Sequence, residues 1–192
     1  MWYVVDGMDG CGKSSAAEFI KGQLESRGRR VLLLSHPNRD TKVGRKEAAW
    51  LLKDGTFAKL MTTMYYIRDV FHSIRVMKKM RKSGEYDDFI FVRYIMAVSY
   101  VPKCLCRLTY RIFKIILPEP DRKFFIDITP ESAMKRITER GEELEAFENM
   151  ESLSKTRNKM LMFIPDNWHL IDNCGTFEQT KEQISKVLEE TD

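Results

Sequence analysis

The sequence predicts an α/β fold, a doubly wound parallel sheet with helices on both faces. Three observations predict it. Five short apolar runs alternate with helix-length segments along the chain, which is the pattern of repeated βα units. Runs such as Val31–Leu34 are continuously apolar rather than alternating, as strands buried on both faces require. The first run leads directly into a glycine-rich turn and then a helix, an order that forms a phosphate cradle. The 192 residues, 43% of them hydrophobic, suit one compact domain over residues 1–192.

Taken in order, Trp2 to Val5 is the first strand, and Ser14 to Arg27 is the first helix, with Ala16, Ala17, Ile20 and Leu24 inward. Gly28 stops that helix. Val31 to Leu34 is the second strand and closes a right-handed βαβ unit. The polar loop 35–46 leaves the carboxyl end of this strand, where open parallel sheets bind ligands. Arg39 is therefore either a phosphate clamp or a solvated loop arginine. A short helix with Ala48, Ala49, Leu51 and Leu52 follows.

Residues 57–82 read as a long helix, in which Leu60, Met64, Ile67, Phe71, Ile74 and Met77 recur at steps of three and four. Arg68, Asp69 and His72 interrupt the pattern, and His72 reads as a packing or surface residue. Lys78, Lys79, Arg81 and Lys82 suit the helix C-terminus and solvent. Phe89 to Val92 is the third strand, with Arg93 and Tyr94 at the same edge as the phosphate loop. Pro102 kinks or restarts the next helix. Lys123 to Asp127 is the fourth strand, and Thr129 caps a helix with Pro130 in its first position, ending at Arg140-Gly141. The acidic run 141–151 is expected to be exposed and mobile, with a helix over 144–163. Trp168 to Ile171 is the fifth strand, and Thr176 with Gln179 makes a capping box for a last helix reaching about Glu189.

The chemistry sits in GMDGCGKSS, residues 7–15, where Gly7, Gly12, Lys13 and Ser14 fit G-x-x-x-x-G-K-[ST]. Glycines let backbone N–H groups point at phosphate oxygens, and the helix N-terminus favours an anion. Lys13 is expected on the β- and γ-phosphates of a nucleoside triphosphate and Ser14 on Mg²⁺. The rest of the composition excludes other classes. Lys+Arg 32 against Asp+Glu 28, a net charge of +4, is too balanced for a nucleic-acid partner. Cys11, Cys104, Cys106 and Cys174 lack the spacing of a metal site, and a cysteine inside the phosphate loop suits a reducing, cytoplasmic setting. The most apolar stretch, Phe89 to Leu117, is broken by Arg93, Lys103, Arg107, Arg111 and Lys114. It reads as a strand and a cationic amphipathic helix and not a membrane span. No signal peptide and no membrane association are expected.

Nearly end to end, the chain resembles the thymidylate kinase family of P-loop nucleoside monophosphate kinases. DGMDGCGKSS resembles its E/D-G-x-D-G-x-G-K-S/T loop, and HPNRDTKVGRKEAAWL its F-P-E-R-x-T-x-I-G segment. MYYIRDVFHS resembles its L-F-x-A-x-R region, and FIFVRYIMAVSY the strand ending in D-R-Y. LPEPDRKFFIDITPESAMKRITERG, AFENMESL and IDNCGTFEQ resemble its P-D…L-D-x-x-P-E…R-x-x-R-G block, lid and I-D-A loop. The resemblance implies a P-loop NTPase fold in three layers, a five-stranded parallel sheet and a small mobile lid at about residues 136–151. It implies transfer of the ATP γ-phosphoryl to a nucleoside monophosphate, thymidine monophosphate first, with Mg²⁺.

Carried over by residue, ATP would meet Gly7, Gly10, Cys11, Gly12, Lys13, Ser14, Ser15, Arg136, Cys174 and Gly175, with Ser14 on Mg²⁺. The acceptor would meet Asp9, Arg39, Met64 or Tyr65, Arg68, Arg93 and Tyr94. Lys13, Arg93 and the lid residue Arg140 would act on the transferring group. Homodimers through residues 57–82 and 95–116 are also implied. The chain departs from the pattern in three places. Val92 replaces the Asp of D-R-Y, Ala146 replaces a lid arginine, and residues 97–102 lack the base-reading glutamine. A kinase with a different nucleotide or nucleoside acceptor, and a weakly catalytic nucleotide-binding interaction protein, remain open alternatives.

Overall fold

A computed structural model describes residues 1–53, 55–101, 103–141, 148–165 and 167–190. Five strands, β1 (Trp2–Asp6), β2 (Val31–Ser35), β3 (Asp88–Val92), β4 (Arg122–Asp127) and β5 (His169–Asp172), form one sheet in the order β2-β3-β1-β4-β5. Every pairing is parallel. The middle of the sheet explains its composition. All five residues of β1 and of β3 are buried, so neither face of these strands meets water and alternation has no role. The helices that cover the sheet are α1 (Lys13–Ser26), α2 (Lys42–Leu51), α3 (Thr56–Ser83), α4 (Lys103–Ile116), α5 (Pro130–Arg140), α6 (Met150–Leu161) and α7 (Phe177–Glu189). A 3-10 helix, Ile95–Tyr100, follows β3.

Local chemistry sets most helix ends. The side chains of Thr41, Thr129, Asn149 and Thr176 accept hydrogen bonds from N–H groups in the first turns of α2, α5, α6 and α7, filling donors that a helix start leaves open. The Asn149 cap starts α6 at Met150, and the expected helical residues 144–147 lie outside the described residues. Ala146, in the segment expected to form the lid, and Pro102, expected to restart a helix, lie outside the described residues, as does the side chain of Leu60.

On α3 the expected Ile74 and Met77 are buried and Ile67 and Phe71 half-buried, but Met64 is 42% exposed, and Val70 is buried together with the polar Thr62, Asp69 and Ser73. The polar members are buried because β2 ends in a polar loop that α3 must satisfy. Asp69 accepts hydrogen bonds from the Asn38 N–H at 2.7 Å and the Thr41 hydroxyl at 3.2 Å. The Ser73 hydroxyl meets His36 Nε2 at 2.9 Å. A hydrophobicity template cannot assign an inward Asp and Ser, so it rotates the helix to a wholly apolar face.

His36 is fully buried at the end of β2. Its Nδ1 lies 2.7 Å from the Arg93 carbonyl and 3.2 Å from that of Val92, so Nδ1–H donates and Nε2 accepts from Ser73. That is the neutral tautomer, and burial pushes the His36 pKa below its ordinary 6.5. His169 is lowered as well, by burial and by Arg122 and Lys123. A histidine whose native pKa is depressed binds its proton more readily in the unfolded chain. Stability is therefore lost as pH falls below about 6.5. Thermal unfolding midpoints should drop between pH 7.5 and 5, with a shallower slope in His36→Gln, whose amide offers one donor and one acceptor at all pH values.

Candidate active site

Among the glycines of the turn after β1, Gly10 and Gly12 stand where a side chain would collide with neighbouring elements. At Gly10 (φ 74°) a Cβ would lie 2.6 Å from the Ala133 carbonyl oxygen, and at Gly12 (φ 93°) 2.7 Å from Asn173 Nδ2. Side chains at these positions would push α5 and the β5 loop away from the turn. Gly12 is also the N-cap of α1, and α1 has neither a side-chain cap nor an acidic residue in its first turn. Its free N–H groups and helix dipole thus face outward as an anion site. Lys13 is 5% exposed. Its Nζ donates to the carbonyls of Gly7 at 3.0 Å and Met8 at 2.7 Å and lies 3.6 Å from Asp9 Oδ1.

Two cavities flank this turn. One, of about 450 Å³, is lined by Gly10, Gly12, Lys13, Ser14 and Ser15 and closed by Arg136, Arg140, Asn173 and Phe177. The other, of about 600 Å³, opens between α3, the 3-10 helix and α4, with Asp9, Tyr66, Tyr94 and Tyr100 among its polar walls. Arg93 lines both. Its backbone is left-handed, φ 63°, which costs a residue with a Cβ about 1–2 kcal/mol. Its guanidinium donates to Asp9 Oδ1 at 2.6 Å and to the His36 carbonyl at 3.1 Å.

Asp9 carries the electrostatics between the cavities. Burial alone would raise its pKa, but Arg93, Lys13 and the Tyr100 hydroxyl outweigh that and hold it well below the usual carboxylate range. The Tyr100 hydroxyl donates to Asp9 Oδ2 at 2.6 Å. Burial and the Asp9 charge raise the Tyr100 pKa far above normal, so this hydroxyl stays a neutral donor. Tyr66, likewise raised by burial, donates to the Tyr94 carbonyl.

Most of the residues expected at a donor site converge. Gly10, Gly12, Lys13, Ser14, Ser15, Arg136 and Arg140 line the smaller cavity, and Gly7 and the buried Cys11 form the loop behind it. Cys174 and Gly175 lie just past the wall, which is made by Asn173 and Phe177. Asn173 Nδ2 donates to the Cys11 carbonyl at 2.8 Å, its Oδ1 accepts from the Thr180 hydroxyl at 2.7 Å, and its carbonyl accepts from Arg136 at 3.2 Å. Arg140 Nη2 is 3.0 Å from each carboxylate oxygen of the buried Glu148.

On the other side, Asp9, Arg93 and Tyr94 meet at the larger cavity, but Arg39, Met64 and Arg68 are surface residues outside both. Tyr65 is half-buried under Lys46, 5.9 Å from its ring. Its neighbour Tyr66 is the aromatic that enters the cavity. Tyr66 lies four residues before the buried Val70 and four after the buried Thr62, and that spacing is the signal that would have found it. Val92 brings no carboxylate to the strand end. Its side chain is in the core, and the carboxylates that reach this turn are Asp9 and the buried Asp6.

Known proteins resemble this chain over nearly its whole length. A family model described as Thymidylate kinase matches residues 5–184. The chain is 26% identical over 191 residues to a probable thymidylate kinase of Archaeoglobus fulgidus, covering 98% of this chain and 95% of that one. It is 28% identical to a thymidylate kinase of Thermoanaerobacter sp. (strain X514), with 95% and 94% covered. The solved structure of thymidylate kinase from Candida albicans superposes with a TM-score of 0.74 over 99% of this chain and 91% of that one, at 19% identity, a likeness of fold.

Asn173 ties the phosphate loop to β5 with buried polar contacts, whose loss costs about 1–3 kcal/mol. Asn173→Ala should therefore raise the KM for nucleoside triphosphate about tenfold and leave the second substrate's KM within twofold, as read from initial-rate kinetics.

Proposed function

The chain belongs to the thymidylate kinase family, and we propose that it transfers the γ-phosphoryl group of ATP to thymidine monophosphate, giving the diphosphate. One observation carries this reading: Arg93 lines both cavities and is paired with Asp9, which lies 3.6 Å from Lys13. Phosphoryl transfer requires two anions aligned end to end, with positive charge where negative charge spreads. ATP occupies the smaller cavity, its phosphates on the α1 N-terminus. Lys13 exchanges the Gly7 and Met8 carbonyls for phosphate oxygens. Arg136 and Arg140 bind on the donor side, where Arg140 exchanges Glu148 for phosphate oxygens.

The acceptor phosphate takes up Arg93 at the junction. Asp9 and the Tyr100 hydroxyl receive the sugar, and the base enters the apolar part of the larger cavity beside Tyr66 and Ala97. The chain fits a Mg²⁺ ion. Ser14 offers an exposed hydroxyl in the donor cavity, an oxygen donor of the kind that ion takes alongside phosphates. When bound it supplies charge to the phosphate oxygens.

The exposed apolar side of α4 supports a homodimer formed through that helix. Leu105, Leu108, Ile112, Ile115 and Ile116 are all exposed, Ile115 at 85%, and share one side of the helix. Replacing Leu108 and Ile112 with glutamate should convert a dimer to a monomer in sedimentation velocity. No helix among the described residues is long and apolar enough to cross a membrane, and we place the protein in the cytoplasm, a reducing compartment that suits its four free thiols.

The test is ADP release from ATP and Mg²⁺ with a panel of nucleoside monophosphates and Lys13→Ala as the blank. Release that depends on thymidine monophosphate and vanishes in the blank is expected. Release with another monophosphate alone would move the acceptor assignment, and ATP binding without any acceptor-dependent release would overturn the kinase reading.

A further inference from the structure

We infer that Asp6, a residue touching neither cavity, is the positioning residue that holds Arg93 in the geometry the acceptor phosphate needs. This rests on the kinase reading above. Asp6 ends β1 and is 1% exposed. Its Oδ2 accepts from the backbone N–H of Tyr94 at 2.9 Å and of Met96 at 3.2 Å, and its Oδ1 from Gly7 N–H at 3.2 Å. One carboxylate thus joins the first residue of the phosphate loop to the start of the 3-10 helix, on the far side of Arg93.

The need for such a clamp is local. Arg93 is left-handed, and Tyr94 follows at φ −139°, ψ −104°, so the turn opposes its own backbone preferences. Arg93 N–H is fixed to the Val5 carbonyl at 3.1 Å, and the Arg93 carbonyl to His36 Nδ1 at 2.7 Å. Those contacts hold the peptide groups on either side of the Arg93 Cα. Asp6 supplies the next restraint along the chain, at Tyr94 and Met96. Without it, the turn can relax toward a right-handed conformation, which swings the guanidinium away from Asp9. A neutral apolar residue at position 6 would leave three buried N–H groups without acceptors, and Val92, on the adjacent strand, has no oxygen to offer.

Asp6→Asn keeps one acceptor oxygen, which one rotamer can still aim at both Tyr94 and Met96, so Asp6→Val, of similar size and with no acceptor in any rotamer, is measured beside it. Acceptor kcat/KM should fall about 30-fold, while the KM for ATP changes less than threefold. Backbone amides of Tyr94 and Met96 should exchange with deuterium about tenfold faster, with β3 amides unchanged. Asp6→Glu should recover part of the acceptor kcat/KM. Arg93→Lys combined with Asp6→Asn should be no worse than the poorer single variant, because both act through one guanidinium.

Additive losses, equal losses for ATP and acceptor, or loss of β1 and β3 protection would assign Asp6 to the scaffold and overturn the proposal. So would unchanged exchange at Tyr94 and Met96 in Asp6→Val. If the wild-type protein releases no ADP with any monophosphate, the kinase reading fails separately. Asp6 is then judged by exchange at Tyr94 and Met96 in Asp6→Val and by whether a crystal structure of that variant keeps the Arg93–Asp9 pair, whose retention would overturn it.

Discussion

The strained turn at Arg93 is the constraint on which the rest of this structure depends. A left-handed arginine persists only where its surroundings over-determine it, and here they come from four directions. β1 holds its N–H through Val5, β2 holds its carbonyl through His36, Asp9 holds its guanidinium, and Asp6 holds the residues that follow. Several of these anchors need support in turn. His36 is kept in register by Ser73 of α3, and the loop after it by Asp69. The polar interior of α3 is therefore part of the same device as the phosphate loop, although it lies on a different element.

The charges of the site are balanced in advance. Lys13 rests on two carbonyls and near Asp9, Arg93 on Asp9, and Arg140 on Glu148. A cluster of cations gathered for two polyanions would repel itself in the absence of substrate. Pairing each with an internal acceptor removes that repulsion, and for Lys13 it leaves the exchange favourable, because phosphate oxygens are stronger partners for a cation than the carbonyls it rests on. Asp9 gains most from this arrangement, since a carboxylate so deeply buried persists in ionised form only beside its cations.

Much of this was legible in the sequence. The five strands, the phosphate loop and the caps at Thr129 and Thr176 follow from local rules that hold without tertiary context. The donor site was legible for the same reason, because Gly10, Gly12, Lys13 and Ser14 are contiguous and the loop fixes their geometry. The acceptor side was not. Tyr66 and Tyr100 reach it from two separate elements, and the place of Tyr66 depends on the angular setting of α3. That setting is decided by the buried Asp69 and Ser73, which a hydrophobic template reads as exposed. Arg68, carried over by resemblance, lies on the surface, because a one-residue shift on a helix moves a side chain by about 100°, and Arg39 is exposed in the turn before α2.

Val92 is best understood from the sheet itself. β3 is paired on both sides, by β1 and by β2, and all five of its residues are buried. A carboxylate at its last position would need desolvation and a partner of its own. The chain instead places its acids one step away, at the end of β1 and within the loop that follows. There, backbone N–H groups satisfy Asp6, and cations and a tyrosine hydroxyl satisfy Asp9. The strand end contributes apolar packing, and the polar task at the Arg93 turn passes to the neighbouring strand. A residue that looks like a missing catalytic group in the sequence thus marks, in three dimensions, a division of labour between adjacent strand ends.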